Sequence, residues 1–218
     1  MASSELRIAN DGFYYDKDSL VGKQVDSLFR EHGYYFKNVE GLRFCKARAF
    51  NDERVRNVIE VLLGDCSLGL YKSYGASDYN YSILNRTTES RTVLLVQLWS
   101  SGSRVKFYSG SHLHVLNGEA ALTGLLTTPS RELSRTEITE VTVGMQEGGY
   151  SIVDGRTRFR IMQGRAVMLA FVAPNELVHW AKMELPKLPE LQREVQDIHM
   201  DSSKIGVNFE FVEREPAT

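Results

Sequence analysis

A chain of 218 residues is long enough to bury a substantial core as one domain. Hydrophobic and charged fractions of 42% and 25% are those of an ordinary soluble protein. A formal charge of −2 leaves no basic footprint for nucleic acid, and no apolar run approaches the ~20 residues of a membrane span.

The N-terminus, Met1 to Arg7, lacks the apolar core of a signal peptide, so the expected location is cytoplasmic. Residues Glu5 to Tyr15 mix β-favouring and turn residues and are expected to form an edge strand closed by Asn10-Asp11-Gly12. Asp18 caps a helix to about His32, with Val21, Val25, Leu28 and Phe29 on one face; Gly33 stops it and Tyr34-Tyr35-Phe36 begins an extended segment. His32 suits the helix C-terminus as a cation meeting the dipole. A second helix is expected after Asn51, with Val55, Val58, Ile59 and Leu62 buried and Gly64 at its end. Cys45 and Cys66 are too few for a disulfide framework and lack a zinc spacing, which predicts reduced, packed thiols.

From Leu68 onward the pattern changes to short strands separated by polar turns. The expected strands are Leu68–Tyr71, Thr92–Trp99, Arg104–Tyr108, Ala121–Thr127, Ile138–Val143, Tyr150–Val153, Thr157–Ile161 and Arg165–Val172. A helix from Pro189 to Ile198 and a closing strand from Ile205 to Val212 follow. The strand Arg165–Val172 is apolar on both faces and therefore central in a sheet, with Gly164 supplying the turn before it. Arg158 and Arg160 alternate with Phe159 and Ile161, giving one basic and one apolar face. The pattern predicts a mainly β protein with flanking helices: a double-stranded β-helix, or jelly roll, of cupin-like shape. One domain covers residues 1–218, with an N-terminal strand and helices over 1–66, a barrel core over 67–173, and a C-terminal helix and strand over 174–218.

The segment Leu28-Phe-Arg-Glu-His-Gly-Tyr-Tyr-Phe-Lys-Asn-Val39 resembles the helix-to-strand start of the phytanoyl-CoA dioxygenase-like family. Val93–Trp99 followed by Phe107-Tyr-Ser-Gly-Ser-His-Leu113 resembles that family's strand and Pro-Gly-Ser-His turn, with Ser109 in place of proline. Val153-Asp-Gly-Arg-Thr and Gly164-Arg-Ala-Val-Met-Leu resemble its last two core strands, so the likeness runs from about Leu28 to Val172. The resemblance implies three iron ligands, a His-x-Asp pair and a distant His, with an Arg for the 2-oxoglutarate carboxylate. Carried over by residue, His-x-Asp falls near Ala76-Ser77-Asp78, which keeps Asp78 only. The distal histidine falls in or just after Asp154–Arg160, where none exists, while Arg165 matches the carboxylate-binding arginine. The expectation is a barrel that has lost its iron and needs no metal or cofactor.

A rival reading uses a cupin spacing. His112, His114 and Glu119 fit His-x-His-x₄-Glu, and Pro174 to His179 echoes the second cupin motif, so His112, His114, Glu119 and His179 form an alternative metal set. Otherwise His112 is a turn donor and His114 is solvated.

In the metal-free reading Asp78 and Arg165 are the catalytic candidates, as proton-transfer group and anion anchor. Tyr79, Tyr81, Trp99, Phe107, His112, Arg158 and Phe159 are the substrate-binding candidates, although Arg158 and Arg160 also suit a solvated strand face. The expected function is binding of a small organic acid or secondary metabolite, with a redox-neutral isomerisation, cyclisation or dehydration at the site. The alternatives are the metal-dependent cupin enzyme and a non-catalytic binding or dimerisation module, with a homodimer formed through the end strands. A closed, aromatic-lined cavity with Asp78 and Arg165 pointing inward favours an enzyme or ligand carrier, and a barrel filled by side chains favours a structural or dimerisation role.

Overall fold

A computed structural model of the chain describes residues 3–84 and 90–213. The first helix, α1 (Ser4–Asp11), starts at Ser3, whose hydroxyl accepts from the Leu6 N–H, and ends at Gly12 with φ +87°. The edge strand expected over Glu5–Tyr15 is therefore a helix followed by β1 (Phe13–Lys17), because the local cap at Ser3 claims the first half of the segment. α2 (Ser19–His32) is capped by Asp18, and Val21, Val25, Leu28 and Phe29 are buried as its spacing predicts. α3 (Val39–Cys45), capped by Asn38, runs on into a π-helical turn at Lys46–Phe50. α4 (Glu53–Leu63) is capped by Asp52, one residue later than the cap expected at Asn51.

The strands follow as β2 (Cys66–Gly75), β3 (Asn80–Ser82), β4 (Val93–Trp99), β5 (Ser103–Ser109), β6 (Glu119–Ala120) and β7 (Leu126–Thr128). Next come β8 (Thr139–Met145), β9 (Gly149–Asp154), β10 (Arg158–Gln163) and β11 (Arg165–Val172). After them come α5 (Pro174–Leu177), β12 (Met183–Pro186), α6 (Pro189–Asp201), β13 (Ile205–Val207) and β14 (Phe209–Val212). Two six-stranded sheets result, in the orders β1-β9-β4-β11-β2-β13 and β6-β7-β3-β10-β5-β8. Strands β2 to β5 and β8 to β11 alternate between the sheets, which is the winding of a double-stranded β-helix.

The two-sided apolar strand is central, as its composition predicts. β11 lies between β4 and β2, with Ala166, Met168, Ala170 and Val172 facing the space between the sheets. Val167, Leu169 and Phe171 face the other way, into a second core built with α2, α3, α4 and α6. Gly164 forms the preceding turn at φ +79°, and a Cβ there would lie 2.3 Å from Ser103 Oγ.

The closing strand expected over Ile205–Val212 is broken at Asn208. Its N–H donates to Leu68 O at 3.0 Å and its carbonyl accepts from Met183 N at 2.8 Å. β13 therefore joins β2 and β14 joins β12, each in parallel. The strand expected over Ala121–Thr127 is likewise two short pieces, β6 and β7, around a turn at Gly124.

Candidate functional site

The space between the sheets is filled by side chains. Tyr81, Trp99, Phe107 and Phe159, expected to line a pocket, are all buried there with Phe13, Val93, Val153 and Met168. Phe13 stacks on Phe107 with centroids 4.3 Å apart and planes at 16°, and Tyr81 meets Phe159 at 6.1 Å. Phe13 arrives on β1, an added strand that pairs with β9 through Phe13 and Val153. The aromatic residues are thus a core, because a strand from the N-terminus brings the extra ring that completes the packing. The buried polar groups among them serve one another. Trp99 Nε1 donates to Ser151 Oγ at 2.9 Å, and Ser151 Oγ donates to Gln97 Oε1 at 2.7 Å.

Asp78 and Arg165 are not brought together at a cavity. The Asp78 side chain is 94% exposed and is ion-paired with Arg160 beside β10. Arg165, exposed at the start of β11, lays its guanidinium 4.7 Å from the centroid of the Phe29 ring, on the helix-covered side of the sheet. The alternation that puts Ala166 inside puts Arg165 outside. Tyr79 is 61% exposed and touches Tyr81 only through tilted rings 6.1 Å apart.

Arg158 is the largest departure from a solvated basic face: it is 0% exposed. The alternation itself holds, since Phe159 points into the barrel and Arg158 onto the outer face of the second sheet. That face is covered by the segment from Ser111 to Thr128. Arg158 donates to Leu116 O at 3.2 Å, Arg156 O at 2.5 Å and Thr128 Oγ1 at 3.3 Å, and its N–H donates to Ser111 Oγ at 2.9 Å. Burial pushes its guanidinium down to about 10, with the Glu132 charge opposing. Arg158 is a clamp for the covering segment.

Beside it lies a buried carboxylate, Asp154. Asp154 is 1% exposed and accepts from Arg156 N, Nε and Nη2 at 3.0, 2.9 and 2.8 Å and from Arg91 Nε at 3.0 Å. Burial alone would raise its pKa, but the hydrogen bonds and charge of Arg156 and the charge of Arg91 hold it below the usual carboxylate range. The spacing Asp154-Gly-Arg156 is the signal for this pair, since an Asp can reach the N–H and guanidinium two residues ahead.

His112 is 1% exposed, with its Nε2 against Ala9 O at 3.1 Å, so it ties α1 to the barrel. Its Nδ1 has no hydrogen-bond partner among the described residues, and burial lowers its pKa. His114 is half-buried, and Glu119 and His179 are exposed. No group of three or more His, Cys, Asp or Glu side chains among the described residues converges as a metal site, so the cupin set does not assemble. The resemblance-derived positions fit iron no better. Asp78 is paired at the surface, and Asp154 is saturated by two guanidinium groups with a third, Arg158, close in the chain. A divalent cation there would face net positive charge.

Unfilled space lies outside the barrel. A cleft of about 340 Å³ opens between β2 and the Tyr34–Lys37 segment, lined among others by Tyr34, Tyr35, Lys37, Leu70, Lys72 and Met183. Ser73 Oγ donates to Tyr34 O at 3.0 Å and holds the segment against the strand. A neighbouring cleft of about 320 Å³ shares Tyr35 and Lys37 and extends to Leu188 and Leu191. Burial lowers the Lys37 pKa, helped by the Lys72 charge and opposed by Glu184.

No protein-family model matches the chain, and no curated protein matches it. Solved structures do. The epimerase SnoN in complex with Fe3+, alpha ketoglutarate and nogalamycin RO shares 14% identity, with a TM-score of 0.53 over 78% of this chain and 82% of that one. EctD from S. alaskensis in its apo form shares 11% identity, with a TM-score of 0.55 over 81% of this chain and 78% of that one. Apo HygX from Streptomyces hygroscopicus shares 10% identity, with a TM-score of 0.54 over 88% of this chain and 94% of that one. No helix among the described residues is long and apolar enough to cross a membrane. The chain shares the double-stranded β-helix fold of these structures, mainly β with flanking helices.

Proposed function

We propose that this chain is a dioxygenase-fold protein that binds a small molecule without an iron triad, and that its barrel interior is a core. The single observation that supports the filled core and the missing iron triad is the packed space between the sheets, closed by the Phe13–Phe107 stack, while small-molecule binding is supported by the clefts outside the barrel. Asp154 with Arg91 and Arg156, and the clamp at Arg158, support the iron-free reading further, because they give the positions expected for iron chemistry to internal ion pairing at Asp154 and to hydrogen bonds with carbonyls and hydroxyls at Arg158. Of the two metal-free readings, binding is favoured over redox-neutral catalysis by Asp78 and Arg165. The two groups face solvent on separate surfaces, and proton transfer needs its group within hydrogen-bond reach of a held substrate.

The test is anaerobic calorimetry of the chelator-treated chain with Fe(II) and then 2-oxoglutarate. The expected result is no stoichiometric heat for either. One equivalent of Fe(II) that in turn supports one equivalent of 2-oxoglutarate defeats the proposal.

A further inference from the structure

We infer that the cleft between β2 and the Tyr34–Lys37 segment is the ligand site, and that it takes a small planar aromatic carboxylate. This rests on the small-molecule-binding reading and deepens it by naming a place and a chemical class.

The place follows from strand pairing. β13 covers β2 only along Cys66–Leu68, so no strand pairs with the outer edge of residues 69–75 among the described residues. Such an edge is ordinarily blunted by a loop or by charge. Here the Tyr34–Lys37 segment lies alongside, pinned through Ser73, and leaves the cleft of about 340 Å³. That is the lower end of the range for small-molecule sites, ~300–1,000 Å³, and admits a molecule of one or two rings.

The class follows from the side chains. Tyr34 and Tyr35 are 62% and 47% exposed, and Leu70 and Met183 add apolar wall, so a flat ring gains contact area. Two lysines, Lys37 and Lys72, line the same cleft. Lys37 Nζ donates to Glu184 O at 3.0 Å and Lys72 Nζ to Thr123 O at 2.8 Å. An ammonium carries three N–H donors, so each has capacity beyond its one hydrogen bond among the described residues. Burial and the Lys72 charge disfavour the Lys37 charge, and the opposite charge of an arriving carboxylate offsets both. A metal cation would meet two like charges, and a neutral ring would add nothing to the one counter-charge, Glu184, that acts on Lys37.

The test uses the full chain and three probes: 2-naphthoate, its neutral amide and inorganic phosphate. Binding is followed by calorimetry and by amide chemical shifts, with Lys37→Met and Lys72→Met checked for an unchanged melting temperature. The expected result is naphthoate binding with shifts centred on Tyr34–Lys37 and Leu70–Ser73. Roughly tenfold or greater weakening is expected in each variant and for the amide, as for loss of a charge-assisted hydrogen bond. Phosphate alone is expected to bind far more weakly than naphthoate. Naphthoate binding that both variants leave unchanged, shifts centred on Phe107 and Phe159, or no binding at millimolar probe overturns the cleft assignment. Shifts inside the barrel would keep small-molecule binding but contradict the filled core, whereas Fe(II) and 2-oxoglutarate binding would remove the iron-free reading itself.

Discussion

The barrel interior and the cleft beside β2 use the same residue types in opposite ways. Inside, Phe13, Tyr81, Phe107 and Phe159 pack ring on ring, and Trp99, Ser151 and Gln97 satisfy one another. At the cleft, Tyr34 and Tyr35 stay exposed and two lysines line one wall. Elsewhere, on β9, the carboxylate of Asp154 is fully engaged by guanidinium groups. The difference separates polar groups that stabilise the fold from polar groups left for a ligand, and it runs against the usual assignment of the barrel interior as the working part.

Substitutions should divide along that line. The largest effect is expected for Asp154→Ala, which removes the carboxylate shared by Arg91 and Arg156; breaking such a buried pair costs about 3–5 kcal/mol. Urea denaturation measures it, and a loss below about 1 kcal/mol would make Asp154 a poised site group instead. Phe13→Ala should cost about 3 kcal/mol through the lost contact with Phe107 and the cavity left behind. If the interior is a pocket that Phe13 merely borders, the same measurement will show little change.

Arg158→Met should cost about 1–2 kcal/mol, since it frees the Leu116 and Arg156 carbonyls while removing a buried cation. Faster amide exchange over residues 111–128 would locate the loss at the covering segment. Acid should act through Asp154 with a defined sign. Its folded pKa lies below the unfolded value of roughly 4, so its contribution is complete above that value and falls away as pH drops below it. Asp154→Asn should flatten that part of the stability–pH curve. The smallest effect is expected for Lys37→Met, within about 0.5 kcal/mol of the parent, because the cleft is peripheral to both cores.

The fold was legible where pattern and local chemistry agree. The two-faced apolar run Arg165–Val172 announced a central strand, Gly164 its turn, and Asp18 the start of α2. Elements set by partners far away in sequence were not legible. β3 is three residues long and exists because β7 and β10 flank it. The break at Asn208 is made by Leu68 and Met183. The same limit governs the site. The alternation of Arg158 with Phe159 is visible in the sequence, but whether the basic face meets water depends on the segment from Ser111 to Thr128 folding over it. Trp99, Phe107 and Phe159 are readable as inward-facing, yet whether they line a cavity or fill it depends on Phe13.

The central claim is that the interior is core, with no place for iron. Its most direct test is to titrate the chain with Mn(II), a paramagnetic divalent ion, and follow the methyl and amide signals of Val93, Val153, Phe159 and Met168. No selective broadening of these interior signals is expected at one equivalent. Broadening centred on them, and lost in Asp154→Asn, would contradict the claim.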